Sequence, residues 1–246
     1  MSSVKFSFKQ FEVWHDKCGM KVGTDGVLLG AWIDTADCRS MLDIGTGTGL
    51  IALIAAQRNP HLLVTAIDIM PDAVVQACDN VLRSPFADRI EVFEGDFLNM
   101  ETAVGRHGHP TLQFDAIVSN PPFYAADIHS PSAERDTARH SSSLPLNSLI
   151  EHASKMLAPM GRLSLILPFS AASDAIGLAY MNGLQLSRRT DVWSNERSAP
   201  KRSLLEFRSA DIKCESIKDK LFIRDIHNEY STAYRQLTDD LYISLK

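Results

Sequence analysis

The stretch Met41-Leu42-Asp43-Ile44-Gly45-Thr46-Gly47-Thr48-Gly49-Leu50 constrains this chain more than any other. A short apolar run carrying an acid leads into three glycines at alternating positions, and an apolar helical pattern follows. The pattern reads as a strand, a tight turn and the start of a helix. Glycines at such a turn let the backbone come close to a ligand.

The segments beyond it repeat the scheme. Leu62–Asp68 is a nearly continuous apolar run ending in an acid, as expected of a parallel strand covered on both faces. Pro71 suits the first turn of a helix reaching Arg83. Ile90–Phe93 reads as a third strand before Glu94-Gly95-Asp96, and Phe114–Ser119 as a fourth before Asn120-Pro121-Pro122-Phe123-Tyr124. Leu144–Leu157 is helical in pattern, Gly161–Leu167 is a fifth strand, and Ser170–Met181 is a further helix. This alternation predicts a doubly wound, mostly parallel α/β sheet of seven strands with ligands at the carboxyl ends. Four of those ends carry Asp43, Asp68, Asp96 and Asn120. A solvated loop explains one such residue. Four beside a glycine turn point to a pocket.

The flanks are less regular. Lys5–Trp14 alternates loosely and suggests a short strand pair or extended arm, net basic with Lys5, Lys9, Lys17 and Lys21 against Glu12 and Asp16. Thr24 or Asp25 suits the N-cap of a helix to Ile33, either as a simple cap or as a polar turn that also lines the pocket. We expect residues 1–34 to form an arm and capping helix, and 35–246 the main domain. Leu184–Trp193 and Lys201–Phe207 read as an antiparallel pair holding Arg188, Arg189, Arg197, Lys201, Arg202 and Arg208. That basic stretch is either a solvated edge or a contact surface for phosphates. The tail, from Ile212, is expected to add a strand and a helix over Thr232–Leu241.

Bulk properties narrow the function. At 246 residues and 45% apolar content the chain can bury a real core, and its net charge of −5 gives no overall basic footprint. Four scattered cysteines, without a Cys-x-x-Cys pair, argue against a zinc site or a disulfide scaffold. His107 and His109 flank a glycine without further ligands nearby, which reads as a loop. The amino terminus lacks the apolar run of a signal peptide, and no apolar run approaches the roughly 20 residues that cross a bilayer. The expectation is a cytoplasmic protein with no metal and no membrane contact, its oligomeric state left open with a monomer favoured.

A dinucleotide site would require G-x-G-x-x-G, but Leu50 stands where the third glycine belongs. Asp68 lies roughly 20 residues past the glycines, the spacing of a ribose-binding acid. D-x-G-x-G-x-G followed by such an acid resembles the class I S-adenosylmethionine-dependent methyltransferases, over about Met41–Leu167. The resemblance implies a Rossmann-like fold and S-adenosylmethionine as cofactor. It implies that Gly45, Gly47 and Gly49 pass the methionine part, with Asp43 near that end and Asp68 on the ribose. It further implies Asp96 near the adenine amino group, Ile69 and Phe97 flanking the adenine ring, and Asn120 bordering both cofactor and substrate.

Asn120-Pro121-Pro122-Phe123 suits chemistry on a planar amino nitrogen. The lone pair of such a nitrogen is delocalised, and two acceptors on its hydrogens pull it toward sp³. The Asn120 side-chain oxygen and the Pro121 carbonyl are candidates, and the prolines stiffen the turn. Phe123 or Tyr124 is placed to stack on an extruded base. The motif resembles that of amino-methyltransferases acting on adenine N6, guanine N2 or protein glutamine. Nearly the whole chain is similar to one family, the bacterial tRNA(Val) adenine-N6 methyltransferases that modify position 37. The residues carrying that similarity are Phe8–Phe11, Met20–Trp32, Asn120–Tyr124, Ala138–His140, Lys201-Arg202 and Tyr230–Leu245. It implies tRNA as the partner, Thr24 and Asp25 beside the pocket, and Arg135, Arg139, His140, Lys201 and Arg202 as RNA contacts.

Overall fold

A computed structural model describes residues 4–18, 22–100, 113–122 and 144–244. Phe123, Tyr124, Arg135, Arg139 and His140 lie outside the described residues. The amino-terminal arm is a two-stranded antiparallel sheet, β1 (Lys5–Ser7) and β2 (Glu12–Trp14), followed by α1 (Thr24–Trp32). Then come β3 (Ser40–Ile44), α2 (Leu50–Arg58), β4 (Leu63–Asp68), α3 (Pro71–Leu82), β5 (Ile90–Glu94) and β6 (Phe114–Ser119). The carboxyl half adds α4 (Leu146–Lys155), β7 (Leu157–Pro168), α5 (Ala172–Met181), β8 (Leu184–Trp193), β9 (Pro200–Ser209), β10 (Ile217–Phe222) and α6 (Thr232–Thr238).

The large sheet runs β10-β8-β9-β7-β6-β3-β4-β5. It has eight strands rather than seven, because the tail strand β10 joins the far edge, parallel to β8. Within it β9 alone runs against its neighbours β7 and β8. The strand order reverses between β3 and β6, where an open α/β sheet leaves a crevice above the strand ends.

Alternating side chains feed two cores. One lies under α1, α2 and α6 and contains Met41, Val64, Leu53, Ile54 and Trp32. The other lies under α4 and α5 and contains Leu42, Ile44, Ile67, Leu149 and Leu205. A one-residue slip would exchange these sets, so register is strongly specified. The arm is anchored in the first core by Phe8, Phe11 and Val13. Phe8 stacks on Phe11 at 4.7 Å and bridges to Tyr242 of the tail.

Helix α1 differs from its expected cap. Gly23 occupies the N-cap without a side-chain hydrogen bond, so neither Thr24 nor Asp25 caps the helix. Glycines set its packing instead. A Cβ on Gly26 would meet Leu50 Cδ2 at 3.0 Å, and one on Gly30 would meet Ile54 Cδ1 at 2.9 Å. The two helices therefore cross at a distance that only glycine allows at these positions.

Candidate active site

Strand register aligns the functional ends in one row. Ile44 pairs with Ile67 of β4 and with Ser119 of β6, and Asp68 pairs with Glu94. The residues that follow, Gly45 and Asn120, therefore leave the sheet side by side at the crevice. Ser119 fastens this junction, its hydroxyl donating to the Ile44 carbonyl at 2.8 Å.

The glycine turn is held from three sides. Gly45, Gly47 and Gly49 have φ of 68°, 59° and 78°, in the left-handed region that glycine adopts without Cβ strain. The Gly45 and Thr46 amides donate to the Ile67 carbonyl, at 2.9 and 3.1 Å. The Gly47 N–H donates to Asp68 Oδ2 at 2.9 Å, and Met70 N–H donates to Asp68 Oδ1 at 2.9 Å. Each Asp68 oxygen keeps a second lone pair for a ligand hydroxyl. A Cβ on Gly49 would lie 3.5 Å from Ala77 of α3, whereas one on Gly45 would meet nothing within 4 Å. The open side of Gly45 is where a ligand can pass.

Asn80 of α3, which the sequence did not single out, braces the other end of the turn. It is fully buried, and its amide nitrogen donates to the Thr48 and Trp14 carbonyls, both at 2.9 Å. Its oxygen accepts the Trp14 N–H at 2.9 Å. A lone Asn within a helix gives no sequence signal of this role.

Asp43 is fully buried. Its Oδ2 accepts the Thr46 hydroxyl at 2.7 Å, and its Oδ1 is buried with no hydrogen-bond partner among the described residues. Burial pushes its pKa up to about 7; the neighbouring Asp68 adds to the rise, and the Thr46 hydroxyl and Ala52 amide oppose it. A buried carboxylate beside the glycine turn favours positive charge on a neighbouring ligand.

The adenine end is built differently. Asp96 caps the short 3-10 turn Phe97–Asn99, accepting Leu98 N–H at 3.0 Å and Asn99 Nδ2 at 2.8 Å. Phe97 is buried in the second core, its ring edge-on to His152. Ile69, by contrast, is 47% exposed directly after Asp68. On the β6 side Asn120 is half-buried, Pro121 buried and Pro122 exposed.

Asp25, near the start of α1, reaches strand β9. Its carboxylate accepts from Arg202 Nε at 2.8 Å. Arg202 pairs with Pro168 in β7, three residues past Leu165, which pairs with Ser119. Arg202 therefore stands at the same end of the sheet as Asn120, with exposed Lys201 beside it, while Thr24 is exposed at the start of α1. The rest of the expected basic stretch is divided. Arg188 and Arg208 flank buried Glu206, and Arg188 stacks 3.6 Å from the Trp32 ring centroid.

These residues fit S-adenosylmethionine. The buried Asp43 carboxylate suits the cofactor's positive charge through its field, the open face of Gly45 gives its methionine part passage, and Asp68 suits its ribose hydroxyls. Among the described residues no group of three His, Cys, Asp or Glu side chains could hold a metal ion. No described helix is long and apolar enough to cross a membrane.

Comparison with known proteins agrees. The crystal structure of a predicted O-methyltransferase from Agrobacterium tumefaciens superposes with a TM-score of 0.67, covering 88% of this chain and 96% of that one. At 20% identity this likeness shows the fold alone. The tRNA1(Val) (adenine(37)-N6)-methyltransferase of Parabacteroides distasonis is 41% identical over 246 residues, with both chains fully covered. That of Phocaeicola vulgatus is 43% identical over 245 residues, again with both fully covered. Residues 19–176 match the Methyltransferase small domain family. The chain thus belongs to the methyltransferase small-domain family and, within it, to the tRNA1(Val) (adenine(37)-N6)-methyltransferases.

Proposed function

We propose that this chain transfers a methyl group from S-adenosylmethionine to the exocyclic N6 of adenine 37 in tRNA1(Val). The observation that carries the reading is the register that brings Asn120-Pro121-Pro122 beside the glycine turn of β3. The names of relatives about 40% identical over the full chain support the choice of substrate.

When bound, S-adenosylmethionine supplies an electrophilic methyl group on a positively charged sulfur. Gly45, Gly47 and Gly49 line its methionine part with Asp43 close by, and Asp68 accepts from the ribose hydroxyls. Ile69, Asp96 and Phe97 border the adenine, and Thr24 and Asp25 form the rim. The Asn120 side-chain oxygen and the Pro121 carbonyl accept the two N6 hydrogens of the target adenine. This draws the nitrogen lone pair out of ring conjugation and aims it at the cofactor pocket. The prolines hold those acceptors in place, so little reorganisation is required as charge develops on nitrogen. The surplus proton on N6 leaves through the same acceptors to water. Phe123 or Tyr124 stacks on the extruded base, and Arg135, Arg139, His140, Lys201 and Arg202 contact the RNA.

Incubation with labelled S-adenosylmethionine and total tRNA from a strain lacking the enzyme tests the reading. Label is expected in N6-methyladenosine of tRNA1(Val). No label in adenine of tRNA1(Val) would overturn it.

A further inference from the structure

The carboxyl half of the sheet face over β8 and β10 carries aromatic rings and cations together. Helix α5 covers the amino-terminal half of β8, where Leu184 and Leu186 join the core of Ala175 and Ala179. It leaves the rest of that face half-exposed. There Trp193 and Phe222, paired in register, hold their rings 5.3 Å apart. The Lys220 ammonium lies 5.7 Å from the Trp193 ring centroid. The Arg189 guanidinium lies 5.4 Å from the ring centroid of Phe169, which is 38% exposed just past the end of β7. Lys218 pairs with Arg189. Leu221 points into the opposite core, so alternation sets Lys218 and Lys220 on this face and Asp219 on the other. The carboxylate here, Asp191, is taken by Arg189 at 2.8 Å and by the Ser203 hydroxyl at 2.5 Å.

We propose that Trp193 and Phe222, with Lys218 and Lys220, form a docking platform for the RNA strand flanking the target adenine. The proposal rests on RNA being the substrate. Paired aromatic rings, tilted by 37°, with a cation beside Trp193 suit unpaired bases and their phosphates, since every base offers a π-face. Charge complementarity favours this occupant, because the cations gather here on a chain of net charge −5. Position favours it too. Trp193 and Phe222 end β8 and β10, parallel to β6, at the same end of the sheet as Asn120. In the order β6-β7-β9-β8-β10 they stand three and four strands away. At strand spacing this is roughly 14 to 19 Å, within reach of a loop whose central base enters the pocket.

The full chain is tested with an unmodified tRNA1(Val) anticodon stem-loop and with intact tRNA1(Val). Lys218→Gln/Lys220→Gln should weaken RNA binding at least fivefold. It should lower the slope of log affinity against log salt by about 2, since each lost phosphate contact removes about 1. Calorimetry with S-adenosylmethionine should stay within twofold of the parent, which verifies an intact fold. Trp193→Ala should weaken RNA binding without changing that slope, and Trp193→Phe should restore most of it. RNA affinity and salt slope unchanged in the double variant would overturn the platform. So would loss of binding to anionic lipid vesicles with RNA binding intact. If the parent binds the stem-loop but methylates no adenine, the reading of activity fails, while the platform is still judged by the binding of its variants.

Discussion

The Asp68 carboxylate accepts the Gly47 amide N–H at 2.9 Å, so the acid that closes β4 also holds the glycine turn that follows β3. A ligand hydroxyl on the same carboxylate would therefore be sensed directly by the turn. Replacing Asp68 by Ala removes both the brace and the proposed ligand acceptor. Calorimetry should show S-adenosylmethionine binding weakened by about 1.5–3 kcal/mol, the scale of a lost hydrogen bond to a charged group. Unchanged affinity would detach Asp68 from the cofactor.

The proposed role of Asn120 lies mainly with the methyl acceptor rather than with the cofactor. Asn120→Ala should leave cofactor affinity within a few-fold of the parent and lower single-turnover methylation by about 10²-fold or more, as loss of one preorganised polar contact does elsewhere. Equal losses in both measurements would mean that the side chain serves the cofactor alone.

Asp43 sets a pH dependence whose sign follows from burial. Its pKa rises from an ordinary 3.8 to about 7 in the folded chain, mainly through desolvation. Between those values the native state holds a proton that the unfolded state has released. The cofactor-free protein should thus lose stability as pH rises from about 4 to about 7, and Asp43→Asn should flatten that slope in denaturant titrations. A cation beside Asp43 favours its ionised form. Cofactor binding below pH 7 should therefore release a proton, read as a buffer-dependent binding enthalpy. A slope and enthalpy identical in Asp43→Asn would remove Asp43 from the account.

Two glycines separate fold from ligand. Gly30→Ala forces a methyl against Ile54 at 2.9 Å and should cost about 1–3 kcal/mol of stability by denaturant midpoint, as overpacking does. Gly45→Ala meets no neighbour, so its stability cost is confined to backbone strain of about 1–2 kcal/mol at φ 68°. Its loss of cofactor affinity should be the larger effect, because the new methyl stands on the side open to the ligand. Full cofactor affinity in Gly45→Ala would mean that the ligand passes elsewhere.

What the sequence disclosed divides by range. The apolar runs before Asp43, Asp68 and Asn120 are legible because buried parallel strands are apolar along their length, and a turn must follow each. The α1 cap was not legible as such: Thr24 and Asp25 have the right chemistry, but Gly23 takes the position and Asp25 turns to Arg202, 177 residues away. Nor was the burial of Phe97 legible, since a phenylalanine packed in the core and one bordering a pocket share the same pattern. The pairing of Trp193 with Phe222 depends on β10 joining the edge in parallel, a register that neither strand's own pattern encodes.

The most direct test of the account is to map methylation in tRNA1(Val) isolated from a strain lacking this enzyme and treated with the purified chain and S-adenosylmethionine. N6-methyladenosine at position 37 is expected with the parent chain, and its near absence with Asn120→Ala. No methylation at position 37, or full methylation by Asn120→Ala, would contradict it.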